Sequence, residues 1–255
     1  MIDMSDNVVI VTGGSRGIGA EAAKLAGALG YTIVINFVSN QSAADAVVND
    51  IEQVGGKAFA LKGDVQHESD VLALFDFAKS KGTVKALINN AGVVDYAARL
   101  DEMSVERLNR MFAINLTGAF LCAREAVRTM STKHGGKGGS IVNLSSAAAK
   151  LGAGGQYVDY ASAKGAIDTM TIGLAREVAE EGIRVNAVRP GIIDTDIHAS
   201  GGQPDRAQEL TSIIPMKRPG DAIEVAKAIV WLMSDDASYS TGTIIDVSGG
   251  RSIVP

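Results

Sequence analysis

A tyrosine and a lysine stand four residues apart at Tyr160 and Lys164, in a stretch typical of the start of a helix. Side chains at i and i+4 share one helix face, so this spacing puts a phenol beside an ammonium. A phenol has a pKa near 10 and releases its proton poorly at neutral pH. A cation about 4 Å away contributes roughly 4 kcal/mol at an effective dielectric of about 20, which would lower the phenol pKa by up to about 3. The pair therefore predicts a tyrosine that donates or accepts a proton near pH 7.

Taken alone, the same pair also describes an ordinary helix that carries a half-buried ring and a solvated lysine. The elements around it decide between the two, and short β-branched runs alternate with longer helical patterns along the chain. The strand candidates are residues 8–12, 32–37, 58–62, 86–89, 140–144, 184–188 and 243–247. Most are nearly continuous apolar runs, as expected of parallel strands that are covered on both faces.

Helical patterns fill the intervals, at about 17–30, 41–54, 68–80, 104–131, 159–181 and 221–234. Ser104 fits an N-cap with Glu106 in the first turn, and Asp221 opens the last helix. The alternation predicts an α/β chain with a doubly wound Rossmann fold, a seven-stranded parallel sheet with helices on both faces. Because neither a linker nor an internal repeat is evident, we expect a single domain over residues 1–255.

The composition limits the possible partners. Hydrophobic residues make up 46% of the 255 residues and aromatic residues only 5%, so the core is aliphatic. A formal net charge of −5 argues against nucleic acid as the main partner. Cys122 is the only cysteine, which excludes an intrachain disulfide. Neither a leader-like start nor an apolar run of about 18 residues is evident, so we expect a cytoplasmic protein that does not span a membrane.

Two segments interrupt the alternation. The glycine-rich stretch 134–139 precedes a strand instead of opening a helix, so it offers no helix N-terminus to a phosphate and predicts a surface turn. The stretch 192–217 has little periodicity, and loops longer than about 12–15 residues inside compact domains are usually functional or disordered. We interpret it as a lid over a substrate site, with a disordered insertion as the alternative. Its His198 fits a solvated loop histidine better than a substrate contact.

The first predicted strand runs directly into a glycine turn, from Gly13 to Gly19, and then into a helix. Glycines let the backbone approach a pyrophosphate, and the free N–H groups and the dipole at a helix start attract its charge. The spacing is Gly-x-x-x-Gly-x-Gly rather than the standard Gly-x-Gly-x-x-Gly. A plain tight turn is the alternative, but the position after the first strand favours a dinucleotide site.

The choice of cofactor follows from a missing carboxylate. An acidic residue about 20 positions after the first glycine accepts the ribose 2′-hydroxyl in NAD sites, and the stretch 33–40 contains none. Arg16 in the glycine turn can meet a 2′-phosphate instead, and Asn36 and Ser39 can add hydrogen bonds to it. The sequence therefore favours NADP(H) over NAD(H).

Seven fragments in a fixed order carry a family resemblance. They are Thr12 to Gly19, Asp64-Val65, Asn89 to Gly92, Asn115, Ser145-Ser146, Tyr160 to Lys164, and Arg189 to Gly191. Together they resemble the short-chain dehydrogenase/reductase family, in its single-domain subtype of about 250 residues, from residue 8 to about residue 250. The resemblance implies a Rossmann fold, a nicotinamide cofactor, and oxidation or reduction at an alcohol or carbonyl carbon.

The resemblance also implies roles for the catalytic residues. It implies that Tyr160 is the acid/base, that Lys164 lowers its pKa and binds the nicotinamide ribose, and that Ser146 orients the substrate oxygen. Ser145 is the alternative serine, but adjacent strand residues point to opposite faces and the family spacing favours Ser146. Asn115 would hold a water in the proton path to Lys164, with an amide at a helix kink as the alternative.

The expected cofactor-binding residues come from this resemblance together with the phosphate argument. Asp64 resembles the residue that bonds the adenine, with Val65 packing beside it, and Thr195 would approach the carboxamide. Asn89 and Gly92 would line the nucleotide groove. The full set is Gly13, Ser15, Arg16, Gly17, Ile18, Gly19, Asn36, Ser39, Asp64, Val65, Asn89, Ala91, Gly92, Tyr160, Lys164, Pro190, Gly191, Ile193 and Thr195.

We therefore predict an NADP(H)-dependent oxidoreductase that transfers hydride between nicotinamide and a carbonyl or secondary alcohol. No metal is required, and the three histidines lack metal-ligand spacing. A nucleotide-sensing binding protein that kept the fold and lost the chemistry is the alternative. The intact set of Ser146, Tyr160 and Lys164 argues against it.

The sequence constrains the substrate and the assembly less than it constrains the type of reaction. The pattern is similar to 3-oxoacyl-carrier-protein reductases and to sugar or polyol dehydrogenases of the glucose-dehydrogenase type, and the lid stretch is somewhat nearer the second group. A carrier-protein user needs a basic patch near the cleft, for which only Arg99, Lys217 and Arg218 are candidates.

The patterns at 104–131 and 159–181 are apolar on several faces, which indicates buried or interface helices. From the resemblance we expect a homotetramer.

Overall fold

The computed structural model describes residues 6–253, and a seven-stranded parallel sheet forms its centre. The strands are β1 (Asn7–Val11), β2 (Thr32–Phe37), β3 (Lys57–Lys62), β4 (Thr83–Asn89), β5 (Gly139–Leu144), β6 (Ile183–Pro190), β7 (Ile193–Asp194), β8 (Gly220–Asp221) and β9 (Ile244–Val247). The order across the large sheet is β3-β2-β1-β4-β5-β6-β9, and β7 pairs with β8 in a separate small sheet. The strand order reverses between β1 and β4, where ligands bind in open α/β sheets.

Helices connect the strands and cover the sheet. They are α1 (Gly17–Ala28), α2 (Gln41–Gln53), α3 (Glu68–Lys79), α4 (Val105–Phe112), α5 (Gly118–Met130), α6 (Ala148–Leu151), α7 (Val158–Val178), α8 (Ile197–Ser200), α9 (Arg206–Glu209) and α10 (Ala222–Met233). The strand–helix alternation and the parallel pairing confirm the predicted doubly wound Rossmann architecture.

Both faces of the sheet are buried, because successive strand residues point to opposite sides. Val9 and Val11 of β1 pack into one apolar layer with α1, α2 and α10. Val8 and Ile10 pack into the other layer with α3, α5 and α7. All seven predicted strands form, with ends that differ from the prediction by at most three residues.

The helix starts confirm the predicted caps, whereas one long helix is interrupted. Ser104 Oγ accepts a hydrogen bond from the backbone N–H of Arg107 at 3.2 Å, and Asp221 forms a capping box with Glu224. The predicted helix over 104–131 is wrong in one respect, because a π-helical turn at Ala113–Thr117 separates α4 from α5. A π-turn inserts into a helix where a side chain or a site demands it, and here Asn115 is that side chain.

The two irregular segments take different forms. The glycine-rich stretch is a turn between a 3₁₀ turn at Thr132–His134 and β5, as predicted. The 192–217 segment contains β7, α8, α9 and a 3₁₀ turn at Leu210–Ile213, so it is built from short pieces. The His198 side chain lies outside the described part of the structure. Within residues 6–253 no helix combines the length and the apolar character that crossing a membrane requires.

Candidate active site

A cavity of about 200 Å³ opens at the carboxyl ends of β4, β5 and β6. These three parallel strands end at the same edge of the sheet, so residues far apart in sequence meet there. The predicted residues that line it are Ile18, Gly92, Ser146, Tyr160, Lys164, Pro190, Gly191, Ile193 and Thr195. The catalytic tyrosine, serine and lysine expected from the sequence therefore share one cavity with the end of the glycine turn.

The glycine turn between β1 and α1 is held in place by the end of β4. Asn90 Nδ2 donates to the carbonyls of Thr12 at 2.8 Å and Gly13 at 3.1 Å. In return, Thr12 Oγ1 accepts from the backbone N–H groups of Asn90 and Ala91, at 3.0 Å each. A Cβ at Gly19 would lie 2.5 Å from Asn90 Nδ2, so this close approach requires glycine. The turn is therefore fixed before any ligand enters.

Helix α1 begins at Gly17, and no side chain caps its first turn. That turn carries no acidic residue. The preceding Arg16 is exposed, and Ser15 is partly buried. The N–H groups at this helix start therefore have no side-chain acceptor within the described residues and attract negative charge. The residues present fit the pyrophosphate of a dinucleotide.

The end of β2 offers no carboxylate, as its sequence indicates. Ser39 is exposed there, and Arg16 Nη2 contacts Ser200 Oγ at 3.4 Å. Asn36, in contrast, is buried, and its Nδ2 donates to the carbonyl of Gly63 at 2.7 Å. This amide ties β2 to the turn after β3. The buried Asn36 amide therefore serves this link instead of the 2′-phosphate to which it was predicted to donate.

Asp64 and Val65 lie in the turn after β3. The Asp64 carboxylate accepts from the backbone N–H of Gln66 at 3.1 Å and from its Nε2 at 2.7 Å. Val65 is buried against α5, where a Cβ at Gly118 would approach it to 2.8 Å. Both residues have a structural role in this turn, and the adenine contact of Asp64 stays a prediction.

Two adjacent asparagines at the end of β4 point in opposite directions. Asn89 is buried, and its Nδ2 donates to Ala119 O at 2.9 Å and to Asn143 Oδ1 at 3.1 Å. Asn143 Nδ2 in turn donates to Thr171 Oγ1 at 3.0 Å. This chain of amides links β4, β5 and α7 away from the cavity. The cavity side is occupied by Asn90, which therefore replaces Asn89 as the groove residue.

The side chains of Tyr160 and Ser146 both line the cavity, and the Ser146 hydroxyl is close enough to the phenol to lower its pKa. Ser146 Oγ also accepts from the backbone N–H of Ala148 at 3.1 Å, which fixes the serine at the start of α6. Ser145 Oγ instead donates to the carbonyl of Lys164 at 3.2 Å. The neighbouring serines thus have different partners, and Ser146 is the one beside the phenol, in agreement with the sequence argument.

Lys164 lies beneath the tyrosine ring. Its Nζ is 5.6 Å from the centre of the Tyr160 ring and donates to the carbonyl of Leu144 at 2.6 Å. Burial lowers the pKa of Lys164 to about 8, although the charge of Asp168 opposes this shift. An ammonium that is partly deprotonated near pH 8 is a weaker electrostatic partner than a surface lysine.

Burial also raises the pKa of Tyr160, and the nearby Ser146 hydroxyl opposes the shift. The predicted net lowering of this pKa is therefore wrong, because burial has the largest effect on it. The packing that brings the phenol and the amine together buries Lys164 and partly buries Tyr160, and desolvation disfavours the charged form of each group. Tyr160 is consequently a protonated phenol at neutral pH.

Asn115 lies at the π-helical turn and holds the loop after β4. Its Oδ1 accepts from the backbone N–H of Val93 at 3.0 Å, and its Nδ2 donates to the carbonyls of Val93 and Met111 at 3.0 Å. A Cβ at Gly92 would lie 2.8 Å from Asn115 Oδ1 and 3.5 Å from Lys164 Nζ. The amide at a helix kink, which the sequence left as the alternative role, is therefore present next to the lysine.

A buried ion pair fixes the start of α7. Arg107 Nε donates to Asp159 Oδ2 at 2.8 Å and its Nη2 to Oδ1 at 3.3 Å, while Nη1 donates to the carbonyl of Tyr96 at 2.6 Å. Asp159 Oδ1 also accepts from the backbone N–H of Tyr160. The Asp159 side chain is fully buried and that of Arg107 is 12% exposed. The pair therefore anchors the residue next to Tyr160 to both α4 and the loop after β4.

The turn after β6 closes one side of the cavity. A Cβ at Gly191 would lie 2.6 Å from Ser248 Cα, so the C-terminal segment packs directly under this turn. Thr195 faces the glycine turn, because a Cβ at Gly17 would lie 3.5 Å from it. Pro190 and Ile193 also line the cavity. The nicotinamide-side residues expected from the sequence are thus adjacent to the glycine turn.

Several cavity residues were not identified from the sequence. Gln156, Tyr157, Arg206 and Arg251 line the cavity on its substrate side, together with apolar residues of α6 and the 192–217 segment. Arg251 lies just beyond the region that carries the family resemblance, and Arg206 lies in the segment without periodicity. No group of three or more histidine, cysteine, aspartate or glutamate side chains that could hold a metal ion occurs in the part of the chain that the structure describes.

Known proteins match this fold and site over nearly the whole chain. A sequence profile of the family described as Enoyl-(Acyl carrier protein) reductase matches residues 13–252. The chain is 53% identical over 245 residues to the uncharacterized oxidoreductase YgfF of Escherichia coli (strain K12), covering 96% of this chain and 99% of that protein. It is 38% identical over 254 residues to glucose 1-dehydrogenase 2 of Bacillus subtilis (strain 168), covering 99% and 97%.

The structure is also similar to the crystal structure of a short-chain type dehydrogenase/reductase from Mycobacterium marinum. The TM-score is 0.90 at 30% identity, and the match covers 99% of this chain and 98% of that one. The profile, the sequence relatives and the structural neighbour agree with the cavity geometry. The chain therefore belongs to the short-chain dehydrogenase/reductase family of NAD(P)-dependent oxidoreductases.

Proposed function

We propose that this protein catalyses the reversible NADP(H)-dependent reduction of a small carbonyl compound to a secondary alcohol, with Tyr160 as the acid/base. The observation that carries this proposal is that Ser146, Tyr160 and Lys164 line one cavity, with Lys164 Nζ 5.6 Å from the centre of the Tyr160 ring. A bound nicotinamide supplies the hydride chemistry, and the protein supplies position and proton transfer.

The three side chains have separate tasks in this proposal. Tyr160 donates its proton to the carbonyl oxygen in reduction and takes it back in alcohol oxidation. Ser146 donates a hydrogen bond to the same oxygen as negative charge develops on it. Because burial raises the pKa of Tyr160, the phenol is protonated at neutral pH, which is the form that donates a proton to a carbonyl oxygen. Lys164 binds the nicotinamide ribose and stabilises the phenolate that proton transfer leaves behind.

The proton path would pass Lys164 and the π-helical turn. Both hydrogens of the Asn115 amide are already donated to protein carbonyls. A water on the path to Lys164 would therefore accept no hydrogen bond from the Asn115 amide. We propose that such a water binds a main-chain carbonyl that the π-turn leaves without its usual helix partner.

The preference for NADP(H) rests on Arg16 and on the absence of a carboxylate at the end of β2. Arg16 is exposed beside the glycine turn and has no acidic partner among the described residues. A guanidinium binds a phosphate through charge-assisted hydrogen bonds, and exposed Ser39 can add one more. A carboxylate at this place would instead repel a 2′-phosphate and bind the 2′-hydroxyl of NAD.

The substrate is small in this proposal, because a cavity of about 200 Å³ is below the usual range of about 300–1,000 Å³ for drug-sized ligands. A carrier-protein substrate has weak support. Of the candidate basic residues, Arg99 pairs with Asp101 and Arg218 with Glu224, and Lys217 Nζ donates to Ser212 O. The glucose dehydrogenase named above acts on a neutral sugar, which remains the other candidate class. We propose that the 192–217 segment is the lid over this cavity.

An assay of cofactor consumption tests the function. Purified protein is incubated with NADPH or NADH and a panel of small ketones, aldehydes, sugars and acyl thioesters, and absorbance at the reduced-nicotinamide band is followed. Tyr160→Phe should lose about 100- to 10,000-fold in turnover while its affinity for NADPH stays within about twofold. Tyr239→Phe, which removes the hydroxyl of a fully exposed ring, is the matched control. Full activity in Tyr160→Phe would exclude the acid/base role, and binding of NADPH without turnover of any substrate would favour the nucleotide-sensing alternative.

The assembly is proposed to be a homotetramer in the cytoplasm. A shallow groove between α5 and α7 contains Phe120, which is 48% exposed, and Gly173, beside which a Cβ would meet no atom within 4 Å. An exposed large apolar side chain beside a glycine groove fits a self-complementary interface. Light scattering at micromolar concentration should give about four times the chain mass, and a monomer mass would exclude the proposal.

A further inference from the structure

The charged residues of the cavity all have the same sign. Lys164, Arg206 and Arg251 line it, whereas no aspartate or glutamate is among the described lining residues. Lys164 lies at the chemical end, beneath Tyr160. The two arginines lie at the end formed by the 192–217 segment and the C-terminal segment. For a protein with a net charge of −5, a cavity with only positive charges is a local feature that needs an explanation.

Arg206 is held firmly but is not neutralised. Its Nη1 donates to Gln203 Oε1 at 2.6 Å and its Nη2 to Gln156 Oε1 at 2.7 Å. Its guanidinium lies over the ring of Tyr157, 5.1 Å from the centre, and the Tyr157 hydroxyl donates to the same Gln203 oxygen. Amide oxygens orient a guanidinium without cancelling its charge, and these two bonds leave three of its five N–H donors unused.

Arg251 lacks even these neutral partners. Its guanidinium has no hydrogen bond or ion pair with any described residue, although the residue is partly buried. Burial lowers the pKa of Arg251, and the charge of Arg206 lowers it further. Two partly buried like charges that repel each other destabilise the empty site, and an anion between them relieves both the repulsion and the missing hydrogen bonds.

Two other arginines of this fold have carboxylate partners. Arg107 is paired with Asp159 and Arg189 with Asp168, and both pairs are largely buried. Arg184 donates instead to three main-chain carbonyls, those of Leu232, Met233 and Ser234. Arg251 has neither kind of partner and Arg206 has only two amide oxygens, both at the wall of the cavity, which indicates that a ligand supplies the missing acceptors.

We propose that the carbonyl substrate carries an anionic group, a carboxylate or a phosphate, and that Arg206 and Arg251 bind this group while Tyr160 and Ser146 hold the carbonyl. This inference rests on the proposed function and specifies its substrate class. The cavity wall also contains the apolar side chains of Val94, Leu151 and Ile192. The substrate is therefore an oxo acid, or a phosphorylated ketone, with a short hydrocarbon stem.

The reaction balances without a further reactant. The carbonyl carbon gains a hydride from the reduced cofactor, and the C=O double bond becomes a single bond. The carbonyl oxygen takes the proton of Tyr160, which is then restored from solvent. An oxo acid is reduced to a hydroxy acid and NAD(P)H is oxidised to NAD(P)⁺, while the anionic group keeps its charge and its bonds to the arginines.

Matched pairs of acids and esters test the proposal. We would compare kcat/KM for 4-oxopentanoate, 5-oxohexanoate and 6-oxoheptanoate with kcat/KM for their methyl esters, and include dihydroxyacetone phosphate to distinguish a phosphate from a carboxylate. We expect one chain length of acid to exceed its ester at least tenfold. In Arg251→Gln this acid should lose about 10- to 100-fold, as for charge-assisted hydrogen bonds, whereas the ester stays within about twofold. Arg251→Lys should recover part of the loss, and Lys79→Gln, which removes an exposed charge on α3, should lose nothing.

A second measurement does not depend on turnover. Pentanoate should raise the melting temperature of the NADPH-bound protein, methyl pentanoate should not, and Arg251→Gln should abolish the difference. Two results would overturn the proposal while leaving the proposed function intact. One is that the esters are reduced as efficiently as the acids, and the other is that Arg251→Gln leaves the acid-to-ester ratio of kcat/KM unchanged. If neither acids nor esters consume NADPH or NADH, the proposed function fails, and the pentanoate shift alone then decides whether the anion site exists.

Discussion

On the side of the cavity formed by the ends of β1, β4 and β5, polar side chains are bonded to the protein itself. Asn90 holds the glycine turn and Asn115 holds the loop after β4. On the side formed by the 192–217 segment and residues 248–253, two guanidinium groups face the cavity without a carboxylate. We refer to these as the cofactor side and the substrate side.

The difference follows from what each side must bind. A nicotinamide dinucleotide always carries the same pyrophosphate and nicotinamide ribose, so a groove for them can be fixed in advance by hydrogen bonds within the protein, which lowers the ordering cost on binding. A substrate differs from protein to protein, and the short helices of the 192–217 segment change without disturbing the sheet. The unneutralised charges are therefore concentrated where specificity is set.

The largest expected effect tests whether the cofactor side is rigid because its charges are paired. Asp159→Asn leaves Arg107 buried without its carboxylate, and breaking a buried pair costs about 3–5 kcal/mol of unfolding free energy. Arg218→Gln breaks an exposed pair with Glu224 and should cost at most about 1 kcal/mol. Urea denaturation of both variants measures the contrast. Similar losses in the two would mean that the Arg107–Asp159 pair contributes no more than a surface pair.

Lys164 is the exception on the cofactor side, because it is buried and its pKa is lowered to about 8. The unfolded chain has the ordinary lysine pKa near 10.4 and therefore binds more protons than the folded one between about pH 8 and 10.4. Across this window the free energy of unfolding should rise with pH, by about 3 kcal/mol relative to Lys164→Met. Below about pH 8 the difference between the two proteins should be constant. Denaturation of both proteins at pH 7.5 and pH 10 measures this difference in unfolding free energy. A protein that loses stability relative to Lys164→Met as the pH rises would contradict the lowered pKa.

Arg16 connects the two sides, since it belongs to the glycine turn and contacts Ser200 of the 192–217 segment. Arg16→Ala should weaken NADPH binding about 10- to 100-fold, as expected for lost charge-assisted hydrogen bonds. NADH binding should change by about twofold or less. Fluorescence titration of both cofactors measures this selectivity. Equal losses for the two would assign Arg16 to the shape of the turn instead of the 2′-phosphate.

The smallest expected effect compares the rigidity of the substrate side with that of the cofactor side. Gly202 has a φ of +76°, and a Cβ there would lie 2.4 Å from the ring of Tyr96. Gly202→Ala should cost about 1–2 kcal/mol of local backbone strain, because the exposed Tyr96 ring can move aside. Amide hydrogen exchange should become faster in residues 197–214 and stay unchanged in β1 and β4. Faster exchange throughout the sheet would mean that the two sides are not independent.

Strand and helix order was predictable because it depends on local pattern. The seven apolar runs were long enough to define the parallel sheet, and the glycine turn was recognisable from its position after β1. The choice of Ser146 over Ser145 followed from the alternation of a strand. The same alternation separates Asn89 from Asn90, but the sequence does not indicate which of them faces α5.

Other features depend on contacts between distant residues. The raised pKa of Tyr160 results from its burial, which the four-residue spacing to Lys164 does not reveal. Asn36 was predicted to face a phosphate, but its partner is the carbonyl of Gly63 across the β2–β3 pair. Arg251 joins the cavity only because the C-terminal segment packs under the turn after β6. Such assignments require the tertiary structure.

The five residues of the π-helical turn have a consequence for insertions and deletions in this chain. A π-turn holds about one residue more than an α-turn, for nearly the same rotation. Deleting one residue between 113 and 117 would therefore restore a regular helix and leave the rest of α5 in nearly its present orientation. Cys122, Ala126 and Met130, now fully buried, would still face the sheet, whereas the amide of Asn115 would lose its position at the kink. Removing a second residue would turn α5 by about 100° and carry these three side chains out of the core.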